Sequence, residues 1–272
     1  MGAKVDEEKK KNRLGQSRLN NQGVKMTVVD YIDCSHIFVM FDDGYNTIIP
    51  CRWDAFKDGL IKDPYYPSVV GVGIKGNKYP LTYGNGVCTK EYKLWYLMLL
   101  RCYGEKWRSV HPTYKDVTCC DEWLLFDNFY EWLHSQENFK KWLNGGKWSL
   151  DKDILIKGNK IYSPETCCLV PEHVNLLFIK NDADRGNLPI GVSYSNKKKR
   201  YIAKHIYKKS QIDNKCVYTN YYYPTPEDAF YLGYKPAKEK YIKQIAQEEF
   251  DKGNITEKCY NAMINYEVEI TD

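Results

Sequence analysis

The sequence predicts an α+β chain: a small N-terminal β-barrel, a ββα middle region, and a C-terminal three-stranded sheet carrying a helix. Three observations point there. Short β-rich runs bounded by turn residues crowd the first part of the chain. A helical apolar period starts after Thr89, and a hairpin signal and then a three-strand run follow, each leading into a helix signal. At 272 residues, with about 100–200 residues per domain as a guide, the chain divides into modules at residues 1–80, 81–186 and 187–272.

Composition narrows the function classes. A hydrophobic content of 43% supplies packed cores, and no run approaches the ~20 apolar residues of a membrane span. Residues 1–12 are polar and charged, without the apolar centre of a signal peptide. Ten cysteines include no Cys-x-x-Cys pair, so free, mostly buried thiols in a reducing cytoplasm are expected. The net charge of +5 argues against a mimic of DNA, which needs an acidic face.

Along the chain, residues 4–13 form a charged lead-in. Residues 26–31 and 36–41 read as strands, and Asp42-Asp43-Gly44 turns the chain into a third at 46–51. Residues 56–59 and 64–67 are expected to close a small barrel. Gly71, Gly73, Gly76, Gly84 and Gly86 then mark a linker or broad loop. They make no dinucleotide fingerprint, because no strand-turn-helix context surrounds them. The next helix places Tyr92, Trp95, Tyr96, Leu99 and Leu100 on one face. Phe126, Phe129 and Trp132 mark a second, with Asp121 as its expected cap.

Residues 148–175 carry the strongest signal. Two β-rich arms flank Gly158-Asn159, a hairpin turn, and Ser163-Pro164-Glu165 reads as turn chemistry inside the second arm. Pro171 opens a short helix with Glu172 on the favourable side of its dipole. Leu150-Asp151-Lys152-Asp153, Gly158 and Tyr162-Ser163-Pro164-Glu165-Thr166-Cys167 resemble the ββα-metal finger of HNH endonucleases, above all the phage homing-type enzymes. The stretch Met98 to Tyr103 resembles the opening block of that family, and Val117 to Leu124 a second block, in the same order. The resemblance implies a divalent metal such as magnesium on the leaving oxygen and a histidine that activates water. Lys152 stands where the family carries that histidine, and Thr166 where it carries asparagine. A lysine is a poor base at neutral pH and repels a metal, so nuclease activity is expected to be lost or impaired. If activity persists, Asp151, Asp153 and His173 are the catalytic candidates, and the same three with Asn175 the metal ligands.

After a polar stretch at 182–186, strands are expected from Gly191-Val192, over 200–207 and over 216–222. Thr225 then caps a helix with Pro226 at its first position. Further helices are expected through Tyr241, Ile245 and Ala246 and over 256–264. Alternation puts Arg200, Ile202 and Lys204 on one face, with Tyr201, Ala203 and His205 on the other. Gly191-Val192, Tyr201-Ile202-Ala203 and Thr225, Glu227 and Ala229 resemble the ethylene-response-factor (APETALA-type) DNA-binding domain found fused to phage HNH proteins. The resemblance implies a sheet laid in the major groove of double-stranded DNA. Val217, Thr219 and Tyr221 replace the family's usual third-strand readers. Arg200 and Lys204 are the candidate DNA contacts, and Lys197, Lys198, Lys199 and Lys208 the candidate phosphate contacts.

The leading expectation is a phage-type DNA-binding protein on a homing-endonuclease scaffold, acting in the cytoplasm of a bacterial host. The alternatives are a metal-dependent nickase using Asp151, Asp153 and His173, and a protein that binds and inhibits a host nucleic-acid or defence protein.

Overall fold

The computed structural model describes residues 7–179, 186–206 and 216–272, with the backbone alone at 205, 206 and 216–220. The chain is mixed α+β and falls into two compact units, Met1–Glu131 and Trp132–Asp272.

In the first unit, α1 (Glu7–Arg13) precedes β1 (Ser17–Leu19), β2 (Lys25–Asp33), β3 (His36–Phe41) and β4 (Ile48–Cys51). The strands pair antiparallel in chain order. The expected barrel is corrected to an open sheet, since β1 and β4 remain its two edges and no barrel closes among the described residues. The physical reason lies in α2 (Trp53–Lys57). Met26, Val28, Tyr31, Ile37, Val39 and Phe41 bury one face of the sheet, and Phe56 of α2 and then Ile61 cover it. A helix thus removes from water what closure would have removed, and four strands need not curl on themselves. α1 buries no residue; the Arg13 guanidinium holds it, 4.1 Å from the Trp53 ring centre and 5.2 Å from that of Tyr31.

α3 (Lys90–Tyr103) starts where expected, with Thr89 Oγ1 accepting the Tyr92 N–H at 3.1 Å. Trp95, Met98, Leu99 and Cys102 are its fully buried residues, whereas Tyr96, expected inside, is exposed. Trp95 Nε1 donates to the Trp123 carbonyl at 2.7 Å. The glycine segment packs against this helix. A Cβ on Gly73 would sit 2.4 Å from Leu99 Cδ1 and 2.9 Å from the Trp95 ring. α4 (Glu105–Val110), β5 (Thr118–Cys119) and α5 (Phe126–Ser135) follow. Asp121 lies inside a 3-10 turn, Asp121–Leu124, and is not the cap of α5.

The second unit contains α6 (Phe139–Asn144), β6 (Trp148–Asp151), β7 (Ile161–Tyr162), β8 (Cys168–Pro171) and α7 (Glu172–Asn175). β6 and β8 pair antiparallel, from Trp148 opposite Pro171 to Asp151 opposite Cys168. The turn expected at Ser163-Pro164-Glu165 inside the second arm separates β7 from β8. There Thr166 Oγ1 donates to the Ile161 carbonyl at 2.7 Å and stands 3.1 Å from Ser163 Oγ. Pro171 is the last strand residue, one position before α7.

Then come β9 (Val192–Ser195), β10 (Arg200–Ile206) and β11 (Cys216–Tyr223), a three-stranded antiparallel sheet with β10 central. α8 (Pro226–Asp228) begins with Thr225 Oγ1 accepting the Asp228 N–H at 3.0 Å and runs through the π-helical Ala229–Tyr234 into α9 (Lys235–Asp251). α10 (Glu257–Ile264) completes the unit. One core joins these pieces: Ile154, Val170 and Val174 share it with Ala203, Phe230, Ile242 and Met263.

Candidate functional site

The finger is built around the end of β6. Asp151 is buried, and its Oδ1 accepts the backbone N–H groups of Asp153 and Ile154, each at 2.7 Å. Burial pushes its carboxyl above the ordinary carboxylate value, against the lowering pull of those two N–H groups. Because β6 ends at Asp151, strand alternation does not carry Asp153 onto the same face. Asp153 turns instead to Lys152, whose Nζ donates to its Oδ2 at 2.6 Å and to the Asn159 carbonyl at 2.9 Å. Asn159 closes the loop by donating to the carbonyls of Lys152 at 2.9 Å and Ile161 at 2.6 Å. Lys152 is therefore a buried tie across the finger's turn.

His173 stands on α7 with its side chain 42% exposed, and its Nε2 lies 3.5 Å from Glu249 Oε1 on α9. Glu249 is buried and also engages Lys252 and Asn254, each at 2.8 Å. Asn175 ends the same helix. Among the described residues, no three His, Cys, Asp or Glu side chains gather closely enough to hold a metal ion. As placed, Asp151, Asp153, His173 and Asn175 do not form a donor set for a divalent ion: one carboxylate is committed to backbone, one to a lysine, and the imidazole to a buried glutamate.

The basic cluster has a different character. Residues 196–199 form the turn between β9 and β10, with Arg200 paired to Ser195. Lys199 takes a left-handed φ of 52°, and the Lys198 N–H donates to Ser195 Oγ at 3.4 Å. Lys197, Lys198, Lys199, Arg200 and Lys204 are all exposed. Ala203 points the other way and is fully buried. A Cβ on Gly233 would lie 2.7 Å from the Ala203 Cβ, so the π-helical turn and the sheet meet without a side chain between them. On the exposed face Ile202 lies opposite Tyr222, and Lys198 Nζ is 6.0 Å from the Tyr222 ring centre. β11 carries two extra residues across from Ala203, since Ile202 faces Tyr222 while Lys204 faces Tyr218. Tyr221, within that bulge, is 73% exposed. Lys208 lies outside the described residues, as do the side chains of His205, Val217 and Thr219.

Comparison with protein-family models, curated proteins and solved structures finds no match in any of the three.

Two positioning residues were not singled out from sequence. Asn138 is buried and donates to the carbonyls of Leu169 at 2.9 Å and Asn254 at 2.8 Å, tying β8 to the link between α9 and α10. Lys157 Nζ bonds to the Glu267 carbonyl at 3.0 Å and to Asp272 Oδ2 at 2.8 Å, fastening the chain after α10 to the finger's turn. An asparagine or lysine in a loop carries no periodic signal, so only the fold reveals these partners.

Proposed function

We propose that this chain is a DNA-binding protein of the phage type, built on a homing-endonuclease-like scaffold in which the ββα finger is kept as structure and cutting is lost or impaired. The observation that carries the reading is the exposed face of β10. Arg200 and Lys204 stand on it beside the lysine turn, while Ala203 on the reverse side seats the sheet against its helix. Three strands spaced about 4.8 Å apart make a sheet about 10 Å wide, which suits a major groove about 12 Å wide. Over four residues at about 3.3 Å each, Arg200 and Lys204 stand about 13 Å apart, leaving Ile202 between them for apolar contact with a base. The turn lysines lie at one end of this face, where backbone phosphates flank a groove. Lys152, as a tie to Asp153 and Asn159, supports the loss of water activation in the finger.

Fluorescence anisotropy of the full chain on a mixed-sequence DNA duplex, over a salt series, tests this. Binding should weaken steeply with salt, because cations on phosphates release counterions. Charge reversal at Arg200 and Lys204 together should cost about tenfold or more in affinity, while Lys62→Glu leaves it unchanged. An absence of binding, or binding indifferent to salt, would remove the reading.

A further inference from the structure

The exposed face of β10 is not uniformly charged. Ile202, partly exposed, lies between the exposed Arg200 and Lys204. Across the sheet it stands opposite Ser193 of β9 and Tyr222 of β11, while Arg200 stands opposite Ser195. Residues directly opposite on paired strands share a face, so Ile202 and Tyr222, the latter 40% exposed, make an apolar strip bordered by cations. The serines of β9 are short, and Ile202 reaches further from the sheet than the serine beside it. Val192, Ala203 and Phe230 belong to the core behind this sheet, and Ile202 does not. Packing therefore leaves the isoleucine facing outward, in the middle of the face that the cations frame.

The floor of a major groove is polar apart from one group. Adenine, guanine and cytosine present donors and acceptors there, and thymine adds a C5-methyl. An isoleucine pressed against a polar base edge strips its water and returns no hydrogen bond, which is unfavourable. Against the thymine methyl the same contact buries apolar surface on both sides. We infer that Ile202 reads the C5-methyl of a thymine, so that the DNA this chain prefers carries an A·T pair between the positions met by Arg200 and Lys204. Tyr222 flanks that contact on the β11 side and shields it from water. The inference rests on the DNA-binding reading above and adds the base that the centre of the face selects.

Two pools of DNA duplexes with a random centre test it, identical except that one contains thymine and the other uracil, which lacks the methyl. Competed for a limiting amount of the full chain, the thymine pool should be preferred about threefold or more, the worth of burying one methyl group. Ile202→Ala should erase that preference, while binding the uracil pool as the wild type does with the same salt dependence, which shows that the variant is folded. Ile202→Val, which keeps a branched apolar side chain, should retain most of it. Equal binding of both pools by the wild type, or a preference that survives Ile202→Ala, overturns the inference and leaves DNA binding standing. Failure to bind either pool overturns the DNA-binding reading and this inference with it.

Discussion

At Asp151 one carboxylate oxygen holds two backbone N–H groups while burial pushes the same carboxyl upward. The two effects respond differently to substitution. Asp151→Ala leaves both N–H groups without their acceptor and should cost about 1–3 kcal/mol. Asp151→Asn keeps the acceptor and removes a buried charge, so it should stay within about 1 kcal/mol of wild type at pH 7. The pH dependence has a definite sign. A carboxyl whose folded value is raised contributes stability below its unfolded value, and that contribution is lost as pH rises through the folded value. The stability of Asp151→Asn relative to wild type should therefore improve across that rise, measured by urea unfolding at several pH values. Magnesium should leave the wild-type Tm unchanged. A magnesium-dependent rise abolished by Asp151→Asn, or plasmid nicking lost on substituting Asp151, Asp153 or His173, would instead restore the finger as a metal site.

The sheet of β9, β10 and β11 depends on a close approach at the scale of elements. Ala203 and Gly233 leave room for the π-helical turn to lie directly on β10, and Tyr223 Oη would be 3.0 Å from any Cβ at Gly233. Gly233→Ala should overpack this contact and cost about 1–3 kcal/mol, visible as a lower urea midpoint with an unchanged slope. DNA affinity, measured where the variant is still folded, should fall less than on reversing Arg200 and Lys204, because the substitution lies behind the face and leaves its charges in place. An equal or greater loss of affinity would mean that the face depends on the backbone's exact placement more than on charge.

For the whole molecule, residues of the finger and of the C-terminal sheet and helices belong to one core. Residues 182–187 are rich in Asp, Asn and Gly, a composition that proteases favour when it is exposed. Limited proteolysis is expected to cut there, and the two fragments should then remain together in gel filtration. The apolar surface that joins them is internal, as are the Asn138 bonds to Leu169 and Asn254. A fragment from residue 187 onward that elutes alone and still binds DNA would show that the shared core is dispensable.

The sequence by itself determined most of the local structure. Turn residues and β-rich runs placed β2, β3 and β4, the apolar period and Thr89 placed α3, and Thr225 with Pro226 placed the start of α8. Those signals are legible because hydrogen-bond caps and alternation act between residues close in the chain. Alternation likewise put Arg200 and Lys204 opposite Ala203, as the exposed and buried sides of β10 have it. Tertiary structure alone decided that the first sheet stays open under α2, since a barrel and a covered sheet share one strand pattern. It also decided the use of Asp151, Asp153 and Lys152. Their spacing suits a metal on a continuous strand, but β6 stops at Asp151 and its carboxylate turns to the backbone. The partners of Asn138 in Leu169 and Asn254 come from segments distant in sequence. No local pattern encodes such meetings; they arise only when packing brings the segments together.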